Sequence, residues 1–291
     1  MNILSLFDGI SCGIVALERA NIKIDNYYAS EIDKYAIQIS KKNYPNIIQL
    51  GDINNWKLWN LPNIDLIIGG SPCQGFSNAG LGLNFNDPRS KLFFNFVDIL
   101  KYYKPKYFLL ENVKMKKEWQ DIISEFVEAD PIEINSALVS GQDRKRLYWT
   151  NIKNIIYPHD RSILPIDILE KEVNKEYYIN NMWKTWWNKN KEFSIKKKYS
   201  IYCNLAQKAI SLLARQYSNY NGNFVFEGID ENGNDIIRKL TPIECERLQT
   251  LPDNYTAGIS NTQRYKCLGN GWTVDVIAHI FSFLPNEWKF I

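Results

Sequence analysis

Along the first third of the chain, short apolar runs alternate with stretches of helical period. Asn2 to Phe7 reads as a strand and runs into a glycine loop, and Ile14 to Ala20 reads as a helix. Tyr27 to Ser30 follows as a strand, Tyr35 to Lys41 as a helix and Ile47 to Leu50 as a third strand. The apolar run Ile64 to Ile68 ends at Gly69-Gly70. Leu92 to Tyr103 is helical, and Tyr107 to Leu110 is again strand-like. This alternation predicts an α/β fold with a doubly wound, mostly parallel sheet. Ligands of such sheets collect at the carboxyl ends of the strands, so the loops after each strand hold the candidate chemistry.

The rhythm breaks from about residue 157 to residue 234, a stretch rich in Lys, Asn, Tyr and Trp. Within residues 171–198, eight lysines face three glutamates, an excess of five positive charges. An inserted, smaller domain is expected there. Regularity returns near Arg238. Thr241-Pro242-Ile243-Glu244 is a capping box with proline in the first helical position, which starts a helix. An apolar helix is expected from about Trp272 to Phe283. The expected division is therefore residues 1–156, 157–236 and 237–291.

Composition narrows the class. Hydrophobic residues make up 45% of the 291 and charged residues 23%, the balance of a globular protein rather than a disordered, collagenous or coiled-coil chain. No apolar stretch is long enough for a membrane span. The start, MNILSLFDG, has no basic leader. A soluble, cytoplasmic protein is expected. Five cysteines without a C-x-x-C pair argue against a disulfide framework or a zinc ribbon, and no metal is expected. With only His159 and His279 present, chemistry built on histidine pairs is disfavoured. The net charge of +3 permits nucleic acid as a partner without demanding it.

Four loops carry candidate chemistry. Phe7-Asp8-Gly9-Ile10-Ser11-Cys12-Gly13 lets backbone approach a ligand, but its spacing is not the pyrophosphate-gripping G-x-G-x-x-G. With Glu31 and Asp52 at the next two strand ends, it suits a nucleoside without a pyrophosphate; the plainer alternative is a tight turn and two solvated acids. In Gly69-Gly70-Ser71-Pro72-Cys73-Gln74-Gly75, Cys73 follows a strand end behind a rigid proline. A cysteine is usually a small buried apolar residue, but this setting makes it a candidate nucleophile. Glu111, after the strand 107–110, is a candidate working carboxyl or a solvated acid. In Gln142-Asp143-Arg144-Lys145-Arg146, the two arginines share a face of a strand and could hold a phosphate or a polar base edge, or simply line a basic surface.

The order of these blocks resembles that of the DNA (cytosine-5) methyltransferases. The matching residues are Phe7-x-Gly9-x-x-x-Gly13, Glu31, Pro72-Cys73-Gln74, Glu111-Asn112-Val113 and Gln142-x-Arg144-x-Arg146. The match continues through Arg238-Lys239-Leu240-Thr241-Pro242, Glu246-Arg247-Leu248-Gln249 and Gly269-Asn270-Gly271-Trp272-Thr273-Val274. The last blocks look closest to the branch with the eukaryotic de novo enzymes and many bacterial and phage relatives. The resemblance spans nearly everything but the inserted region.

It implies a Rossmann-like fold and S-adenosyl-L-methionine as methyl donor. Phe7, Asp8, Gly9, Ile10 and Ser11 would line the donor pocket, with Glu31 on the ribose and Ile32, Asp52 and Ile53 about the adenine. Pro72, Leu92, Asn270 and Trp272 would help to close it. The C-terminal segment would fold back beside the first strand. Cys73, Glu111, Arg144 and Arg146 are the expected catalytic set: Cys73 attacks cytosine C6, Glu111 meets N3, Arg146 meets O2, and Arg144 supports the loop or a phosphate. The cytosine must be flipped from the duplex at a cost of roughly a few kcal/mol.

The inserted region becomes the target-recognition domain, and its shortness predicts a short recognised site. Lys184, Lys189, Lys191 and Lys196 to Lys198 suit phosphate contacts. Trp183, Trp186 and Trp187 stack on bases or form a small core. Duplex DNA is the expected partner of a monomeric enzyme, and the resemblance allows an accompanying restriction endonuclease. Two other readings compete. A catalytically silent relative would lack the thiol or the carboxyl, and both are present. The tRNA-methylating relatives usually have another residue than glycine after Pro-Cys-Gln, where this chain has Gly75.

Overall fold

Seven strands form one sheet in the order β3-β2-β1-β4-β5-β8-β6. They are β1 (Asn2–Leu6), β2 (Asn26–Ser30), β3 (Ile48–Gln49), β4 (Leu66–Gly70), β5 (Tyr107–Val113), β6 (Pro131–Asn135) and β8 (Lys145–Thr150). A short β7 (Gln142–Asp143) lies outside it and pairs with β9 (Ala209–Ile210). Pairings among β1 to β5 are parallel, while β8 runs antiparallel to both of its neighbours. The computed structural model describes residues 1–71, 88–179, 207–216 and 223–290.

Helices α1 (Cys12–Arg19), α2 (Lys34–Asn43), α3 (Pro88–Tyr103) and α4 (Lys117–Val127) connect or flank these strands. Strands β1, β4 and β5 are buried on both faces, and so read as continuous apolar runs rather than alternating ones. Leu4, Leu6, Ile67, Leu110 and Trp149 pack there with Phe93 and Phe96 of α3 and Phe108 of β5. Strand β1 has β2 on one side and β4 on the other, so the winding direction reverses at its carboxyl end. A crevice opens at such a switch point.

The chain divides into two units. The first comprises Met1–Asn135, Lys145–Pro158 and Val274–Ile291; the second comprises Ser136–Arg144 and His159–Thr273. The sequence reading differs here, because it begins the return to the first domain at residue 237. Residues 238–273 instead carry the polar core of the second unit. Arg238, fully buried, makes a bidentate pair with Glu244 (2.8 Å for each bond). Its strand β11 (Asp235–Lys239) pairs with β10 (Phe224–Ile229). The capping box appears as expected on the helix Pro242–Leu248, with Thr241 Oγ1 accepting from the Glu244 N–H (3.1 Å).

The return to the first unit starts at the helix Val274–Phe281, which packs on α1. An Arg19–Asp275 ion pair at 2.6 Å and a bond from the Lys23 N–H to Trp288 O (2.8 Å) fasten this segment. Ile22 and Lys289 complete it as a β-bridge.

Candidate active site

The loop after β1 is bent by three residues with left-handed backbone, Phe7 (φ 58°), Gly9 (φ 59°) and Ser11 (φ 61°). The first and last carry side chains there at a steric cost. A side chain on Gly9 would be strained by its φ, yet the space its Cβ would enter is open. The backbone is therefore bare where a ligand can approach. Asp8 accepts from Tyr27 OH (2.7 Å) and from Ser11 Oγ, which in turn meets Ser40 Oγ. Burial pushes the Asp8 carboxyl up to about 6, against the hydrogen bonds of Ser11, Ser5 and Tyr27 and with help from the Glu31 charge.

Glu31 ends β2 and ties the loops together. Its Oε2 accepts from the Gly9 N–H (2.8 Å), and its Oε1 accepts from the Ile32 and Asp33 N–H groups (2.7 and 2.8 Å). A carboxylate has about four acceptor positions, so Oε2 keeps one for a further donor. Beside it Ile32 is 73% exposed, an apolar side chain turned to the surface rather than to the core. Asp52 accepts from both the backbone N–H (2.9 Å) and the side-chain amide (2.8 Å) of Asn54, while Ile53 is buried. Leu92 is half-buried on α3. Open backbone, a hydroxyl acceptor and an exposed apolar platform fit a nucleoside.

The second cluster lies at the carboxyl end of β5. Glu111 pairs in register with Gly70 of β4. Arg146 stands opposite Val113 on β8, and residues two apart share a face of a strand. Glu111 and Arg146 therefore meet diagonally, with Nε 3.0 Å from Oε1 and both side chains largely shielded. Arg146 Nη1 donates to Lys145 O (2.8 Å), and among the described residues Nη2 makes no hydrogen bond. The neighbouring Asn112 points its amide at Ser71, donating to its hydroxyl (3.2 Å) and more distantly to its carbonyl (3.4 Å). Ser71 is the last described residue before Pro72 and Cys73, both of which lie outside the described residues. So do Trp183, Trp186, Trp187, Lys184, Lys189, Lys191 and Lys196 to Lys198.

Arg144 is held by bonds inside its own unit. It belongs to the second unit, is 4% exposed, and donates to Ser211 Oγ, Leu212 O, Gly269 O and Gly271 O at 3.0 to 3.2 Å. Asn270, exposed, and Trp272, half-buried, also belong to that unit. Sequence reasoning missed Tyr27 and Ser40 as partners of the first loop. They lie 19 and 29 residues from their partners, and no local pattern signals such pairs. Asn112 was visible in its motif, but its bond to Ser71 needs the register of β4 against β5.

A mostly parallel sheet in this order, with β8 reversed, is the Rossmann-like fold of methyltransferases. The profile of the C-5 cytosine-specific DNA methylases matches residues 1–285, and the chain belongs to that family. The Type II methyltransferase M.NlaX of Neisseria lactamica is 33% identical over 303 residues, covering 96% of this chain and 94% of the relative. M1.ScrFI of Lactococcus lactis subsp. cremoris is 32% identical over 305 residues, covering 95% and 76%. Among solved structures, the Entamoeba histolytica methyltransferase EhMeth superposes with a TM-score of 0.76 at 21% identity, covering 100% of this chain and 99% of that one.

Proposed function

We propose that this enzyme transfers a methyl group from S-adenosyl-L-methionine to C5 of a cytosine flipped out of duplex DNA, through a covalent bond between Cys73 and C6. The observation that carries the reading is the shielded Glu111–Arg146 pair on β5 and β8, beside the end of the strand that leads into Pro72-Cys73. The donor, when bound, supplies an electrophilic methyl. The Gly9 backbone, the remaining acceptor position of Glu31 and the exposed Ile32 side chain would hold it.

C5 of cytosine is too weak a nucleophile to act alone. Addition of the Cys73 thiolate at C6 breaks the aromatic ring and moves negative charge onto N3 and O2. Glu111 shares a proton with N3, and the Nη2 of Arg146 donates to O2. C5, now nucleophilic, takes the methyl, and the donor leaves as its neutral thioether; the C5 proton then passes to water, and departure of the thiolate restores the ring. The donor-side residues and the pair are held by strand ends rather than long loops, which keeps their spacing fixed.

The test is to express the protein and to map methylated cytosines by bisulfite sequencing, with tritiated donor offered to duplex DNA and tRNA in competition. Label in DNA at a short site is expected; label in tRNA and none in DNA overturns the reading. Cys73→Ser is expected to lose turnover by at least about 10³-fold while binding S-adenosylhomocysteine as before. Unchanged methylation by this variant removes the nucleophile assignment.

A further inference from the structure

One buried carboxyl of the first unit takes no part in the chemistry above. Asp8 is held along its main chain, where its N–H donates to Ser30 O and its C=O accepts from the Ser11 N–H (3.1 Å each). It is also held at both carboxyl oxygens, by Tyr27 Oη at Oδ1 (2.7 Å) and by Ser11 Oγ at Oδ2. At 9% exposure its side chain is turned into the fold.

Two features of the loop are built round this carboxyl. A serine at a helix start ordinarily has extended backbone and caps the first turn with its hydroxyl. Ser11 does neither: its φ is 61°, it makes no side-chain cap to α1, and its hydroxyl goes to Asp8 instead. Left-handed backbone is unfavourable for serine, so a strong acceptor is needed to hold it, and a carboxylate is a stronger acceptor than a neutral group. On the other side, a Cβ at Gly13 would lie 2.8 Å from Tyr27 Oη and 2.4 Å from Ile68 Cδ1. Glycine at this position leaves the Tyr27 hydroxyl room to reach Asp8. Ser40 of α2 meets Ser11 Oγ, and Gln49 Nε2 of β3 donates more distantly to Ser40 Oγ (3.4 Å). The carboxyl thus ties the loop to β2 directly, and to α2 and β3 through hydroxyls.

We propose that Asp8 is a positioning residue for the methyl donor: as a carboxylate it holds residues 7–11 in the form that presents the Gly9 backbone, and on taking a proton it lets that form go. A protonated carboxyl must donate one bond where it had accepted. The hydroxyl opposite then turns its own proton elsewhere, and the charge that strengthened both bonds is gone. The groups facing Asp8 are the hydroxyls of Ser5 on β1, Ser11 at the start of α1 and Tyr27 on β2, with the Glu31 carboxylate at the end of β2. Burial outweighs the three hydroxyls and, with the Glu31 charge, lifts the carboxyl to about 6. The inference rests on the donor reading above.

The test follows S-adenosylhomocysteine binding to the full chain by titration calorimetry from pH 5 to 7.5, with circular dichroism checking the fold at each pH. At pH 5 about one Asp8 in ten is ionised, so the apparent Kd is expected to be about tenfold higher than at pH 7.5. Binding at pH 6 is expected to release about half a proton, read from buffers of different ionisation heat. Asp8→Asn is expected to bind about tenfold more weakly than the parent at pH 7.5, with no further fall toward pH 5 and no proton release. Tyr27→Phe removes a bond that favours the ionised carboxyl, so its fall in affinity is expected to begin about half a pH unit higher. Should Asp8→Asn fail to fold, the parent's proton release and the displaced profile of Tyr27→Phe decide the matter.

A flat parent profile without proton release overturns the proposal. So does an equal fall in the parent and in Asp8→Asn, which assigns the titration to another group such as Glu31, or a Tyr27→Phe profile that coincides with the parent's. A parent that binds no S-adenosylhomocysteine at pH 7.5 defeats the donor reading and this inference with it. A parent that binds it equally well at every pH defeats only the inference.

Discussion

Asp8 is ionised in the unfolded chain near the ordinary carboxylate value of 3.8, whereas burial holds it protonated in the fold up to about pH 6. Stability from this group is complete below pH 3.8 and is lost as pH rises through 6, because the unfolded chain gives up the proton first. The gap of 6 − 3.8, about 2.2 pH units, corresponds to about 3 kcal/mol. Asp8→Asn is neutral throughout and lacks this slope. Its stability relative to the parent is expected to rise between pH 4 and 6.5 by up to that amount, read from urea midpoints across the range. Parallel curves for the two proteins would show that Asp8 does not titrate in this window. The tight turn between β1 and α1 was legible in the sequence from its glycines. The buried state of Asp8 was not, because it depends on Tyr27 and Ser40 from other elements.

Among the elements, the helix Pro242–Leu248 was the most legible, since a capping box and an N1 proline are local signals. Thr241→Ala is expected to cost about 1 kcal/mol as a lost cap. The strand that precedes the helix was less legible. Arg238 reads in the sequence as a basic motif residue, and only the fold shows it sealed against Glu244 and Glu227. Removing one partner of a buried pair strands the other, so Arg238→Ala is expected to cost about 3–5 kcal/mol. Thermal unfolding followed by circular dichroism checks both values; a smaller effect for Arg238→Ala than for Thr241→Ala would refute the ranking. Strands β1 to β5 were foreseen to within a few residues, largely because continuous apolar runs mark buried parallel strands, whereas β6 was not read as a strand. By contrast, β7 and β9, two residues each, carry no pattern at all. Nor does any pattern mark the boundary between the units that falls directly after Arg144, so the two arginines, two residues apart, belong to different units.

At the scale of the molecule, neither unit is one continuous stretch of sequence. The chain leaves the first unit after Asn135, returns at Lys145, leaves again after Pro158 and comes back at Val274. The helix Val274–Phe281 covers α1, whose apolar residues Ile14, Val15 and Leu17 are buried. Truncation after Thr273 is expected to expose this face and to render the first unit sensitive to limited proteolysis. A truncated chain whose residues 1–135 resist protease like the parent's would contradict that. Translation adds a further consequence. Residues 274–291 leave the ribosome only after the whole second unit, so β1 and α1, made first, wait longest for their covering. Until that helix docks, the apolar face of α1 lacks its cover, so the first unit gains its packing late rather than in step with chain length.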